Sequence, residues 1–293
     1  MLAVALAACH RPAPPSAPPL ANAILVLVDT LRADHLSAYG YTRPTSPEFD
    51  RLAAEGALFE RAYSQAACTF PSANSLLSSR PAALFWGQPQ GRMGIPEGVP
   101  TLAEAFAARG FTTLAVSASP VVRKNPTRFN PGGGFDRGFD VFDEQCLWRD
   151  AQCVAKRALD LLSKVREPFF AYLHFMDPHG PYRPPPAHRR RFASEYTGDQ
   201  EFIARGDPNP IARGLLPGAK PAVLSAADRE HLIALYNEEI AWWDERLGEL
   251  VRTLAARGWL DRTALVVVAD HGEAFLEHGQ IGHCHTVFEE ETH

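Results

Sequence analysis

The chain has 293 residues, of which 46% are hydrophobic and 22% are charged. A chain of this length and composition can bury a sizeable core, so we expect a folded, globular protein and not a disordered one. The formal net charge of −5 provides no basic surface for a nucleic-acid backbone, and nucleic acid is therefore not an expected partner.

Residues 1–22 differ from the rest and predict an export segment. Met1 to Ala8 is an apolar run too short to span a bilayer, and Leu6-Ala7-Ala8-Cys9 resembles a bacterial lipobox. The Pro-rich stretch from Arg11 to Pro19 predicts a stiff tether. We therefore expect a chain lipid-anchored at Cys9, on the periplasmic side of a bacterial cell envelope, that meets the membrane through this anchor alone. An uncleaved leader is the alternative.

Two predicted strands end in acidic residues. The runs Ala23 to Val28 and Ala264 to Ala269 are uninterrupted and apolar, and they lead into Asp29 and into Asp270-His271. Such runs are typical of parallel strands buried on both faces. Because the carboxyl ends of parallel strands lie at one edge of a sheet, the two acids are expected to meet there. A metal site is the leading interpretation, and the alternative is that both acids merely begin loops.

Helix and strand signals alternate between these two strands, which predicts an α/β fold with a mostly parallel sheet covered on both faces. Several helices carry their own start and stop signals, such as Pro or a capping box at the start and Gly at the end. The stretch from Pro181 to Ala222 has no sustained period and is interpreted as a long loop over one face. The predicted elements are a helix from Pro47 to Gly56, a helix from Thr101 to Gly110, a strand from Phe111 to Ser117, a helix from Val154 to Val165, a strand from Pro168 to His174 and a long helix from Ser225 to Arg257.

Thr69 lies just before another predicted helix, which Pro71 is well placed to begin. At this position its hydroxyl would be close to free backbone N–H groups and to the positive end of the helix dipole. A bound anion would be stabilised there, and a hydroxyl that touches a metal would be easier to deprotonate. An ordinary helix cap is the alternative for Thr69.

Cys146 and Cys153 lie seven positions apart. They can pair in an oxidising compartment, although the spacing alone leaves the pairing open.

Seven motifs together resemble the sulfatase branch of the alkaline phosphatase superfamily, in the family's order and over residues 23 to 288. They are Val28 to His35, Tyr39 to Tyr41, Arg43 to Pro47, the Thr69 segment, Phe175 to Tyr182, Tyr236 to Ile240 and Asp270 to Glu273. The resemblance implies an α/β/α sandwich and a metal-dependent hydrolase or transferase of sulfate-type or phosphate-type esters. Its substrate would be a small anionic ester, a glycan or a lipid head group. Family members normally continue into a smaller C-terminal subdomain, so the resemblance implies a catalytic domain over residues 23–293 from which that subdomain is missing.

The resemblance also implies the metal ligands. Asp29, Asp270 and His271 match the family's ligand positions, and Thr30 stands where typical members have a further acid. His271 replaces an Asn that is common in calcium-binding members. Because calcium prefers oxygen ligands and imidazole suits transition metals, one divalent ion is expected, with manganese or zinc favoured over calcium.

The nucleophile position departs from the family pattern. Classical members carry C-x-P-x-R, whose Cys becomes formylglycine, whereas this chain has Thr69-Phe70-Pro71-Ser72-Ala73. Cys68 is one position too early and is interpreted as a small buried residue. Phosphoryl-transferring relatives use a threonine alkoxide, so Thr69 is predicted to be both a metal ligand and the nucleophile.

Two histidines complete the predicted site. His179 and His283 match positions that face the leaving oxygen, where imidazole can protonate it. A second metal held by these histidines and Asp177 is the alternative. Arg123 and Lys124 are candidates for binding an anionic substrate, or else a solvated surface pair. His174, Glu273 and His278 are weaker candidates. A non-catalytic relative that binds an anionic glycan or lipid head group is the competing function.

Overall fold

The structure is a computed structural model that describes residues 20–85, 94–148, 150–193, 195–197 and 224–293. The predicted lipobox and tether lie outside these residues, as does most of the predicted loop from Pro181 to Ala222.

A five-stranded parallel sheet forms the centre of the molecule. Its strands lie in the order β3, β2, β4, β1, β5. The first and last apolar runs are therefore neighbours, because β1 pairs with β4 on one side and with β5 on the other. A short antiparallel pair, β6 and β7, follows the sheet. The strands are β1 Asn22–Val28, β2 Thr112–Ser117, β3 Val141–Asp143, β4 Phe169–Phe175, β5 Thr263–Ala269, β6 Ala274–Phe275 and β7 Ile281–Gly282.

Helices cover both faces of the sheet, which confirms the predicted α/β/α sandwich. Ile24, Val26 and Val28 point into a core shared with α4 and α5, whereas Leu25 and Leu27 pack with residues of α2 and α3. This alternation is the side-chain period of a strand that is buried on both faces. The helices are α1 Pro47–Glu55, α2 Thr69–Ser78, α3 Leu102–Ala107, α4 Ala151–Leu162, α5 Ala226–Ala256 and α6 Glu289–Thr292.

The predicted helix starts at Pro47, Thr101 and Ser225 are confirmed, whereas the helix predicted from Val154 begins three residues earlier, at Ala151. Capping boxes form at Thr101 and at Ser225, each with side-chain and backbone bonds in both directions. These bonds satisfy N–H groups that the first turn of a helix leaves without partners. Among the helices of the described ranges, none is both long enough and apolar enough to cross a membrane.

The prediction that β5 is buried on both faces is wrong. The strand is at the edge of the sheet, and Val266 in its middle is 50% exposed. A groove of about 930 Å³ runs along this edge between residues of α1 and α2. A continuous apolar run in sequence cannot distinguish an edge strand from a central one, because both carry the same residue types.

Two disulfides cross-link the described chain. One joins Cys146 to Cys153, the pair whose spacing left the question open. The other joins Cys68 to Cys284 across 216 positions. The interpretation of Cys68 as a small buried residue is therefore wrong, because its sulfur is bonded and its side chain is only partly buried.

Candidate metal centre

Three buried side chains meet where β1 and β5 end. Asp29 follows β1, and Asp270 and His271 follow β5, with each residue 1% exposed. One ligand atom from each lies within 4.8 Å of the others. Parallel pairing of β1 with β5 in register brings Val28 beside Ala269, and the acids that follow are therefore adjacent.

Thr69 faces the same point from the start of α2. Its Oγ1 lies 3.1 Å from His271 Nε2, which is itself 3.7 Å from Asp29 Oδ1 and 3.5 Å from Asp270 Oδ2. The helix begins at Thr69, two positions earlier than Pro71, and Cys68 takes the N-cap position. The Ser72 hydroxyl donates to the Asp270 backbone oxygen at 2.5 Å, which ties the first turn of α2 to the end of β5.

The donor atoms suit a divalent cation. Asp29 Oδ1 and Asp270 Oδ2 are buried and have no hydrogen-bond partner among the described residues. The His271 Nδ1–H donates to the Gly272 carbonyl at 2.9 Å, which leaves the lone pair on Nε2, the atom that faces both carboxylates. Unpaired carboxylate oxygens are costly to bury, and two of them beside an imidazole lone pair form the donor set that zinc or manganese binds.

The remaining carboxylate oxygens are held by the protein. Asp270 Oδ1 accepts from the backbone N–H groups of Thr30 at 3.3 Å and His271 at 3.0 Å. Thr30 reaches this position in a left-handed backbone conformation, with φ of 57°. For a β-branched residue this conformation costs on the order of 1–3 kcal/mol. The Tyr236 hydroxyl holds the same turn, because it donates to the Thr30 carbonyl at 2.7 Å and accepts from the Arg32 N–H at 2.9 Å.

His174, only a weak candidate from the sequence, orients Asp29. Its Nε2 lies 3.2 Å from Asp29 Oδ2, and its Nδ1 lies 2.9 Å from the Tyr172 hydroxyl. Burial raises the pKa of Tyr172 well above its ordinary value, so this hydroxyl stays protonated and can donate to Nδ1. The His174 Nε2–H then donates to Asp29, as in other metal sites where outer groups fix the ligands. The available signal was the alternation along β4, which puts residues 172 and 174 on one face.

Burial and neighbouring charges shift the pKa values of the two acids in opposite directions. Burial and the negative charge of Asp29 raise the pKa of Asp270. Burial alone would also raise the pKa of Asp29, but the hydrogen bond with His174 and the neighbouring imidazoles of His179 and His271 hold that pKa below its usual range. Two close carboxylates oppose each other's ionisation, and a divalent cation between them would relieve this repulsion.

His283 and His179 extend the site outward. The His283 ring lies 4.6 Å from the His271 ring and 5.0 Å from the His179 ring. Nδ1 of His283 is 2.9 Å from Glu273 Oε1, and the Tyr182 hydroxyl donates to Glu273 Oε2 at 3.1 Å. Glu273 was only a weak candidate from the sequence, yet its buried carboxylate orients the His283 ring.

Asp177 faces another acid instead of these histidines. It shares a hydrogen bond with Glu239, and both side chains are buried. Within the described residues, the only group that brings three ligand atoms within 4.8 Å of one another is that of Asp29, Asp270 and His271. The structure therefore does not assemble the second metal site that was considered for Asp177, His179 and His283.

The Arg123 side chain is buried, so the solvated-surface interpretation does not apply to it. Its Nη2 lies 3.2 Å from Glu144 Oε1. Lys124 is exposed, and its backbone N–H donates to Glu144 Oε2 at 3.0 Å. His278 lies 2.6 Å from Glu290 through Nδ1 and stacks on Phe288, away from the three ligands.

A parallel sheet covered by helices, with buried acids and an imidazole at its strand ends, defines an α/β protein of the alkaline phosphatase type with a candidate metal centre. The chain belongs to the sulfatase family, whose family model matches residues 21–293. This match confirms the resemblance drawn from the motifs.

Known proteins similar to this chain include sulfatases and phosphoethanolamine transferases. Human iduronate 2-sulfatase is 24% identical over 321 residues, which cover 88% of this chain and 56% of that protein. The chain thus spans little more than half the length of this relative.

Two solved structures share the fold. The soluble domain of lipooligosaccharide phosphoethanolamine transferase A from Neisseria meningitidis superposes with a TM-score of 0.65 at 20% identity, covering 97% of this chain and 76% of that one. The C-terminal periplasmic domain of EcEptC from Escherichia coli, in complex with zinc, superposes with a TM-score of 0.59 at 18% identity. The match covers 92% of this chain and 72% of that one.

Proposed function

We propose that this chain is a metal-dependent ester hydrolase or transferase that attacks a phosphorus ester through Thr69. The observation that carries the proposal is the position of the Thr69 hydroxyl, 3.1 Å from His271 Nε2 and beside the two unpaired carboxylate oxygens. Asp29, Asp270 and His271 would hold one divalent ion, with Thr69 as a further ligand. The zinc in the related periplasmic domain supports zinc as that ion.

The residue types favour phosphoryl over sulfuryl chemistry. Threonine cannot be oxidised to formylglycine, so Thr69 would have to act through its own oxygen. When bound, the ion would lower the pKa of that hydroxyl and offset the charge that develops on the attacked group. The first turn of α2 presents its N–H groups at the same place, where they favour an anion.

The proposed step exchanges one phosphorus–oxygen bond for another. The Thr69 hydroxyl loses its proton to water, and Oγ1 forms a bond to phosphorus while the bond to the leaving oxygen breaks. His283 or His179 donates a proton to that leaving oxygen, a role that imidazole side chains take in general acid catalysis. Water or an acceptor hydroxyl then takes the phosphoryl group from Thr69, which makes the chain a hydrolase or a transferase.

The proposed substrates are anionic esters at the cell surface, such as a lipid head group or a glycan. A related structure is named as a lipooligosaccharide phosphoethanolamine transferase, and another is named as a periplasmic domain. The lipobox-like segment at Cys9 agrees with this location and would anchor the chain to the membrane. Arg123 and Lys124 stay candidates for substrate binding; Arg123 is buried and paired with Glu144, whereas Lys124 is exposed.

The test compares zinc-loaded wild type with Thr69→Ala and Thr69→Ser on four esters: an aryl phosphate, a phosphodiester, a phosphonate monoester and an aryl sulfate. We expect turnover of a phosphorus ester, a loss of at least ~1,000-fold in kcat for Thr69→Ala, and partial activity for Thr69→Ser. The wild type should also carry the phosphoryl group on the peptide that contains Thr69. Thr253→Ala, which removes a remote hydroxyl on α5, is the matched control and should leave kcat unchanged.

Undiminished turnover by Thr69→Ala would show that Thr69 is not the nucleophile. A wild type that binds zinc but hydrolyses none of the four esters would instead favour the competing function, a non-catalytic relative that binds an anionic glycan or lipid head group.

A further inference from the structure

We propose that the Cys68–Cys284 disulfide positions the nucleophile against His283 and makes turnover depend on the oxidation state of this one bond. The inference rests on the proposed function for its effect on turnover. Its structural part, the coupling of two segments at the site, is testable without any substrate.

The disulfide joins the two residues that flank the proposed chemistry. Cys68 directly precedes Thr69 at the N-cap of α2, and Cys284 directly follows His283. A backbone hydrogen bond runs alongside, from the Cys284 N–H to the Ala67 carbonyl at 2.7 Å. One covalent bond and one hydrogen bond therefore connect the nucleophile segment to the segment of the proposed acid, although 216 positions separate them in the chain.

Outside the disulfide, the His283 segment is held at its two ends, by the pairing of β7 with β6 before it and by hydrogen bonds from the His285 and Thr286 backbone N–H groups to the buried Glu291 carboxylate after it. It follows β7, which has only two residues, and precedes the four-residue helix α6. The contact with the Glu273 carboxylate orients the His283 ring. It does not set the distance between the His283 backbone and Thr69. Because a misplacement of ~1 Å can cost about 100-fold in rate, the covalent link to Cys68 is the restraint that bears most directly on catalysis.

The two disulfides differ in their access to solvent. Cys284 is exposed and Cys68 is half-buried, whereas in the other bond Cys153 is half-buried and Cys146 is 0% exposed. Thiol–disulfide exchange requires in-line access to a sulfur, so a soluble dithiol should reach Cys284 first. In that reaction the dithiol gives two electrons and two protons to the Cys68–Cys284 bond, forms two protein thiols and becomes a cyclic disulfide itself.

The experiment uses the oxidised, zinc-loaded chain, a dithiol such as dithiothreitol, and the double variants C68S/C284S and C146S/C153S. Alkylation and peptide mass spectrometry report which disulfide opens. We expect Cys68 and Cys284 to be alkylated first, and amide hydrogen exchange to rise in residues 67–72 and 281–288 while bound zinc is retained.

Turnover adds the second readout. We expect kcat to fall at least ~10-fold on reduction, with KM changed less than threefold, and to recover on reoxidation. C68S/C284S should show the same low kcat and no response to the dithiol, whereas C146S/C153S should keep the wild-type kcat and the wild-type response.

Three results would overturn the inference: preferential opening of Cys146–Cys153, unchanged hydrogen exchange at both segments after reduction, or a kcat for C68S/C284S within twofold of wild type. If that variant does not fold, reduced wild type with an unchanged far-ultraviolet circular dichroism spectrum replaces it. Failure of the proposed function gives a different result, which is absent turnover in the oxidised wild type. In that case hydrogen exchange and alkylation still test whether the disulfide couples the two segments.

Discussion

Gly272→Ala tests whether metal binding at the candidate centre depends on the close packing of the loop that follows β5. The Gly272 N–H donates to the Glu291 carbonyl at 2.9 Å, and its own carbonyl accepts from His271 Nδ1. A methyl group here would lie 3.0 Å from the Glu290 carbonyl carbon and closer still to its oxygen, with the Arg32 Cγ at 3.2 Å. Real side chains essentially never show such a contact with backbone, so the loop or α6 must move.

A displacement on the order of 1 Å would weaken or break the hydrogen bond from His271 Nδ1 to the Gly272 carbonyl. The tautomer and the orientation of the His271 ring would then no longer be fixed. Loss of such an outer hydrogen bond typically lowers metal affinity by about 10–100-fold, which corresponds to roughly 1.4–2.7 kcal/mol. The assay is a competition titration of zinc against a chromophoric chelator at 25 °C. We expect the zinc Kd of Gly272→Ala to rise within that range.

Gly258→Ala provides the matched control. Gly258 follows α5 with φ of +65°, and a methyl group there meets nothing within 4 Å. We therefore expect a lower Tm from the left-handed backbone and an unchanged zinc Kd. If Gly272→Ala binds zinc within twofold of wild type, the reasoning that links the packing of this loop to the ligand is refuted.

Three further predictions concern groups around the site. Burial raises the pKa of Asp177 to about 6 and that of Glu239 well above its ordinary value. The folded pair thus holds protons that the unfolded chain releases near pH 4, and the free energy of unfolding should fall by roughly 3 kcal/mol as pH rises from 4 to 7. Glu239→Gln should flatten this slope in urea denaturation at pH 5, 6.5 and 8, and an unchanged slope would contradict the assignment. Tyr236→Phe leaves the buried Arg32 N–H and Thr30 carbonyl without their hydrogen-bond partner, so it should lower the free energy of unfolding by about 2–3 kcal/mol. A loss below about 0.5 kcal/mol would show that these two hydrogen bonds do not stabilise the turn. Glu273→Ala should lower kcat about 10–100-fold with little change in KM, because His283 loses its orienting carboxylate; equal kcat values would remove Glu273 from this role.

The parts of the fold that local sequence decides were predictable. Capping boxes, the Ser46-Pro47 helix start and the apolar runs act within a few residues, so their patterns are visible in one sequence. The meeting of Asp29 with Asp270 also followed, because parallel strands expose their carboxyl ends at one edge.

The parts that depend on distant partners were not predictable. The bond between Cys68 and Cys284 spans 216 positions and leaves no local pattern. The role of His174 depends on the register of β4 against β1, which places Leu27 opposite His174. Exposure of β5 follows from its place at the edge of the sheet, and strand order is not encoded in a single strand. The two-residue strands β6 and β7 are too short to carry any period.

The strand order has a consequence for synthesis of the protein. β1 lies between β4 and β5, and these two neighbours come much later in the chain, with β4 starting at Phe169 and β5 at Thr263. At about 5–20 residues per second, a ribosome needs on the order of ten to fifty seconds between the end of β1 and the start of β5. Throughout that interval the apolar strand β1 lacks its second partner. β1 can therefore complete its pairing only after translation has reached β5.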